Sequence, residues 1–398
     1  MLPGLPKRSW KRWTKPWRFY ERRTAVAEKR GDIMGYSSPL AEWYSRRPEW
    51  LRRRLEWFMD LRFGLIIHWG PYCQWDCCES WPLVPADTWA RPDNLRCWTE
   101  RGKDLTRFSR DYWNLNRTFN PVEFDPDTWA ALAADAGMRY VAFTTKHHDG
   151  FCMFDTATTD YRITHPDCPF HRHSRANVAK EVFAAFRRRG LAISCYFSKS
   201  DWHSPYYWVP EFPVKDRNPN YDTRAHPEKW AKFVEFVHRQ VEELMTSYGK
   251  IDVLWLDGGQ VRPPEQDIRM NELAAMARKH QPHLIIVDRT VGGDYEDVIT
   301  PEQEIPSEPL AAPWESCITL GQSWKYIPDD RFKSAAEVIR LLAETASKGG
   351  NLLLGIGPDP LGRLPSAVEP ILRQVLSLIH ISEPTRLLSI SYAVFCLK

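Results

Sequence analysis

Asp257 closes the run Ile251-Asp252-Val253-Leu254-Trp255-Leu256-Asp257 and is followed directly by Gly258-Gly259. A carboxylate in that position has two ordinary uses. It can start a turn, as Asp-Gly does, or it can stand in a partly desolvated pocket as nucleophile or base. The second use follows because ligands of barrels and open α/β sheets bind at the C-terminal ends of the strands. Three further apolar runs favour it. Residues 63–67 deliver His68 and Trp69, residues 140–145 deliver Lys146-His147-His148-Asp149, and residues 191–197 contain Tyr196 and deliver Ser198, Asp201 and Trp202. Core packing does not call for polar residues at one end only. The four strand ends therefore read as one pocket.

The chemistry is suggested by what else is near those ends. Trp69, Trp75, Trp81, Trp202, Trp208, Trp255, Trp314 and Trp324 lie at or close to predicted strand ends and loops, among 19 tryptophans in the chain. A flat indole offers an apolar face to the C–H face of a sugar, while His, Asp, Glu and Arg bond its hydroxyls. Glycoside hydrolysis needs two carboxyl groups there, one ionised and one protonated.

The elements that must position these groups alternate. Helical patterns occupy 125–137, 177–189, 227–248, 265–280 and 334–347, with another from 366; strands are expected at 284–288 and 351–356 as well. Asp125-Pro126 supplies an N-cap with proline at the first helical position, and Gly137 and Gly190 stand at helix ends. Strands alternating with helices imply parallel pairing through right-handed crossovers, and the number of units favours a (β/α)8-type barrel, TIM-like, over residues 51–375. No Gly-x-Gly-x-x-Gly or P-loop follows a strand, which excludes the usual nucleotide sites. Residues 71–120 read as a loop insertion over the pocket.

His68-Trp69-Gly70, Lys146-His147-His148-Asp149-Gly150-Phe151, Trp255-Leu256-Asp257 and Trp314-Glu315-Ser316-Cys317 occur in this order. Together they resemble the signature segments of glycoside hydrolase family 29, the retaining α-L-fucosidases, over roughly residues 55–375. The resemblance implies a fucosylated oligosaccharide or glycoconjugate as substrate, no cofactor, Asp257 as nucleophile, and His68, His147, His148, Trp255 and Arg289 around the sugar. It implies Glu315 as acid/base, with Glu265 and Glu308 as alternatives because that position varies within the family. Glu79 and Trp81 stand where the family often has Glu-Trp-Tyr, but this chain reads Glu79-Ser80-Trp81-Pro82. Tyr196-Phe197-Ser198 stands where the family often has two tyrosines. Tyr196 and Trp324 complete the expected sugar contacts. A glycosidase for another α-L-sugar, such as an α-L-galactoside, would keep every motif, and a non-catalytic carbohydrate binder would need no second carboxylate.

Composition agrees with a folded enzyme: 43% hydrophobic and 26% charged residues, with a net charge of +3. That excess lies in residues 1–31, which hold ten Lys/Arg against Glu21 and Glu28. Residues 1–50 are expected to be a disordered leader or the product of an upstream start codon, so neither a nucleic-acid nor a membrane partner is implied. No signal-type apolar region and no run of eighteen apolar residues is visible, so the chain as written reads as cytoplasmic, with export possible if translation starts elsewhere. The pairs His147-His148 and His171/His173, and the cluster Cys73, Cys77 and Cys78, lack the spacing of a zinc site, so no metal is expected. Residues 376–398 look like the conceptual translation of a sequencing adapter. They are expected to be non-native, with the family's usual β-sandwich domain absent.

Overall fold

The computed structural model describes residues 44–382. Seven strands form one parallel sheet: β1 (Phe63–Ile67), β2 (Tyr140–Lys146), β3 (Ala192–Ser198), β4 (Val253–Asp257), β5 (Ile285–Asp288), β6 (Glu315–Thr319) and β7 (Asn351–Ile356), in the order β5-β4-β3-β2-β1-β7-β6. Helices α1 (Glu49–Met59), α2 (Leu105–Trp113), α3 (Pro126–Asp135), α4 (Val178–Arg188), α5 (Pro227–Ser247), α6 (Met270–His280), α7 (Ala335–Ser347) and α8 (Val368–Ser382) accompany it. This is an α/β architecture in which a curled parallel sheet is consistent with a TIM-like barrel.

The period-2 alternation of a strand divides the core into two layers. Ile66, Tyr140, Ala142, Tyr196, Val253, Trp255, Ile285, Val287, Cys317 and Leu353 pack on the concave side, together with Leu51, Leu55 and Phe58 of α1. Leu65, Val141, Phe143, Ile193, Leu254, Leu256, Ile286, Leu352 and Leu354 face outward, into the layer shared with α3–α8. Helix α1 closes the N-terminal end of the sheet: the Phe58 ring meets Tyr140 edge-on at 5.2 Å, and Asn351 Nδ2 donates to the Phe58 carbonyl at 2.8 Å. Tyr140 lies flat against Gly64 on β1, where any Cβ would come within 2.3 Å of the ring.

Residues 296–303 join the two edge strands. The Asp297 amide donates to Ile286 O of β5 at 2.9 Å. On the other side the Glu315 and Cys317 amides donate to Ile299 O and Pro301 O at 2.8 and 3.0 Å, and Gln303 N donates to Cys317 O at 2.9 Å.

Caps agree closely with the sequence. Asp125 accepts from Asp127 N, Asn177 from Lys180 N, and Ser334 with Glu337 forms a complete capping box. Two expectations are revised and two elements are added. The helix expected over 265–280 begins at Met270, because Arg269 sits in the left-handed region and ends the preceding turn. β6 and α1 were not read from the sequence at all. And the expected leader 1–50 overlaps ordered chain: Arg47 is buried and donates to the carbonyls of Gly293 and Asp294. The rest of that leader, and residues 383–398 of the expected tail, lie outside the described residues; α8 runs through Ser382.

Candidate active site

Asp257 is the last residue of β4, and by the alternation that turns Trp255 inward it faces the concave side. Its carboxylate meets three elements. Tyr196 Oη, from the neighbouring β3, donates to Oδ2 at 2.6 Å. His148 Nε2, following β2, lies 3.6 Å from the same oxygen. Arg289, following β5, reaches Oδ1 with Nη1 at 3.3 Å, a neighbour fixed by the register Leu256↔Asp288. Burial pushes this carboxyl group up, but the His148 contact, the Arg289 charge and the Tyr196 hydroxyl outweigh it and hold Asp257 well below the usual carboxylate range. It is ionised, and its side chain is 16% exposed, so a reactant can reach it.

His68 and His147 are kept neutral. Burial pushes His68 down to about 3 and His147 well below its ordinary value. His147 Nδ1 is 2.7 Å from Ser80 Oγ, and His148 Nδ1 is 2.7 Å from Ser200 Oγ. His68 Nδ1 is buried with no hydrogen-bond partner among the described residues. Neutral imidazoles can bond hydroxyl groups without opposing positive charge at a reacting carbon.

Aromatic walls complete the pocket. Tyr196 stacks on Trp255 at 5.1 Å, and Trp324 lies 4.9 Å from His68. Trp81 is 5.1 Å from His148 and 5.6 Å from Trp202, with the Arg217 guanidinium 4.6 Å over its ring. Among the expected sugar-facing tryptophans, three are elsewhere. Trp69 is buried against Phe119, Phe124 and Trp129, and Trp314 belongs to a satellite cluster with Ile299 and Ala312. Trp75 packs against Arg101, Phe108 and Tyr112.

The carboxylates expected as partners of Asp257 are distributed differently from the sequence reading. Glu265 and Glu308 are exposed on loops. Glu315 is the first residue of β6, at the end of the parallel sheet opposite to that closed by Asp257. Its Oε1 accepts from Trp255 Nε1 at 3.1 Å and its Oε2 from the hydroxyl of Tyr140, which opens β2. Burial pushes it up to about 7, against the two hydrogen bonds. It has an acid's proton affinity, but Trp255 and Tyr140 occupy both of its oxygens and it is 2% exposed.

A carboxylate that sequence reasoning missed shares a guanidinium with Asp257. Glu302 Oε2 accepts from Arg289 Nη2, so one guanidinium spans Asp257 and Glu302, and Glu302 Oε1 accepts from Trp324 Nε1 at 3.1 Å. Its segment is bridged to Cys317 of β6. The only sequence signal was Thr300-Pro301-Glu302, an extended pre-proline step too irregular to read as a strand. Glu79 is buried and bonded to Cys78, Ser323 and Lys325. No cluster of three potential metal ligands occurs among the described residues, and none of their helices is long and apolar enough to cross a membrane.

Comparison with known proteins bears on this geometry. Alpha-L-fucosidase isoenzyme 1 from Paenibacillus thiaminolyticus is 34% identical and superposes with a TM-score of 0.68, over 83% of this chain and 76% of that one. The alpha-L-fucosidase AlfC from Lactobacillus casei, in complex with its alpha-L-fucose product, is 27% identical with a TM-score of 0.65, over 83% of this chain and 99% of that one. Among curated relatives, the putative alpha-L-fucosidase of Caenorhabditis elegans is 25% identical over 86% of this chain, and the tissue alpha-L-fucosidase of Rattus norvegicus 28% over 80%. The chain spans 66% of the length of each of those two. The Alpha-L-fucosidase family profile matches residues 38–381, and the chain belongs to that family.

Proposed function

We propose that this chain is an exo-acting α-L-fucosidase that releases terminal α-L-fucosyl residues from glycans with retention of configuration. The observation that carries the reading is the carboxylate pair on Arg289: Asp257, held ionised, and Glu302, on the other end of the same guanidinium. Retaining glycosidases need two carboxyl groups near each other across the scissile bond, and Arg289 contacts both of these. Family membership and the likeness to fucosidase structures support the substrate class. We read residues 296–303 as the irregular eighth stave of a (β/α)8 barrel.

In the first step an Asp257 oxygen attacks the anomeric carbon while Glu302, as general acid, supplies a proton to the leaving oxygen. The C–O bond to the aglycone breaks and a glycosyl ester forms. Glu302, now a carboxylate, takes a proton from water; the hydroxide oxygen displaces Asp257 and fucose leaves with net retention. His68, His147 and His148 bond the sugar hydroxyls, with Trp81, Tyr196, Trp255 and Trp324 around the ring. Being neutral, His68 and His147 do not oppose the oxocarbenium character of the transition state.

This assigns the acid/base to Glu302 in preference to Glu315. Raised proton affinity alone does not make a general acid; its proton must reach the glycosidic oxygen, and both Glu315 oxygens are engaged beneath Trp255. Hydrolysis of an aryl α-L-fucoside followed by NMR of the first-formed anomer tests the reading. Initial α-fucose is expected; β-fucose, or turnover of the α-L-galactoside alone, overturns it.

A further inference from the structure

Trp324 sits between two residues that are both tied to one carboxylate on a different loop. Ser323 Oγ donates to Glu79 Oε1 at 3.1 Å, and the Lys325 amide donates to the same oxygen at 3.2 Å. Cys78 Sγ donates to Oε2 at 3.0 Å. Lys325 Nζ then reaches back to the Trp75 carbonyl at 3.1 Å, a second tie between the same loops. Glu79 is 1% exposed, and both of its oxygens are engaged by these donors.

Its backbone has φ +34°, a left-handed conformation that a glutamate keeps only where its surroundings over-determine it. Such strain gathers at sites where geometry matters. The clamped indole has little freedom. Its ring rests on Gly355 of β7, where a Cβ would come within 2.6 Å, and lies 4.9 Å from His68. Its N–H donates to Glu302 Oε1 at 3.1 Å.

We propose that Glu79 is a positioning residue for the acid/base: by clamping the residues on either side of Trp324 it aims the indole N–H at Glu302, and it is not a ligand of the sugar. The proposal rests on the reading of Glu302 as acid/base. Without the clamp the indole turns away, and Glu302 loses the hydrogen bond that fixes its orientation.

The test compares Glu79→Gln, Ser323→Ala and Trp324→Phe on two substrates, an activated aryl α-L-fucoside and a fucosyl disaccharide whose leaving group needs a proton. Glu79→Gln should lower kcat on the disaccharide about 10-fold or more, the effect of one charge-assisted hydrogen bond, with the aryl fucoside changed by less than about 3-fold. Ser323→Ala, which leaves Glu79 in place, should change the same substrate in the same direction. The Glu79→Gln/Trp324→Phe double variant should be no worse than Trp324→Phe. Equal losses on both substrates with a raised KM, or additive losses in the double variant, overturn the proposal. Glu302→Gln, run alongside, separates the two readings. A flat leaving-group dependence there removes the acid/base assignment and the clamp with it, whereas a steep one with none in Glu79→Gln removes the clamp alone.

Discussion

Tyr196 donates its hydroxyl hydrogen to Asp257 Oδ2 across 2.6 Å, from one strand to the end of the next. The register Tyr196↔Trp255 and Ser198↔Asp257 fixes this pair: both side chains face the concave layer, and the tyrosine is long enough to span one step along the strands. The phenol helps to keep the carboxylate ionised, and its ring also braces Trp255 at 5.1 Å.

Removing that hydroxyl tests its contribution. Tyr196→Phe keeps the stacked ring and deletes one hydrogen bond to a charged group, worth about 1.5–3 kcal/mol. The acidic limb of the kcat/KM profile should move upward, because Asp257 becomes easier to protonate, and kcat should fall about 10- to 100-fold. A pH–rate profile that coincides with the wild type would remove Tyr196 from this role.

Glu302 and Glu315 can be told apart by chemical rescue. Glu302→Ala should retain activity on activated aryl fucosides, lose about 100-fold or more on poor leaving groups, and yield α-fucosyl azide, the retained anomer, when azide is added. Glu315→Ala should affect both substrates alike, since it leaves a cavity under Trp255. Azide product from the Glu315 variant and none from the Glu302 variant would reverse the assignment.

Stability should carry the mark of Glu315 with a definite sign. Its folded pKa, about 7, lies above the ordinary glutamate value, so its contribution is complete below about pH 4.3 and is lost as pH rises through 7. His68 and His147 act oppositely: buried neutral, they destabilise the fold as pH falls below about 6.5. Urea unfolding at pH 5 and pH 8 should therefore show that Glu315→Gln loses less stability across the interval than the wild type, by up to about 3 kcal/mol. An identical pH dependence in the two proteins would mean that Glu315 does not titrate there.

The sequence carried the strands that bury both faces, because continuous apolar runs such as 253–256 and 63–67 have no other use, and it carried the polar residues at their ends. β6 was illegible: Glu315-Ser316-Cys317-Ile318-Thr319 has one strongly apolar residue, and its strand character comes from pairing with β7 and with residues 299–303. The same irregularity hid Glu302, whose approach to Arg289 depends on a segment without periodicity. Glu79 was legible as a buried functional acid only by resemblance; its ties to Ser323 and Lys325 join residues 244 and 246 positions apart. Trp69 and Trp314 misled because tryptophan fills cores as readily as it faces sugars.

The identity of the nucleophile is the central claim, and covalent trapping tests it most directly. A 2-fluoro fucosyl inhibitor slows both steps, so that with a good leaving group the glycosyl ester accumulates. After digestion, mass spectrometry should find one 2-fluorofucosyl unit on the peptide containing Asp257, and none in Asp257→Asn. Label on Glu302, Glu315 or any other carboxylate, or stoichiometric inactivation of Asp257→Asn, would contradict the account.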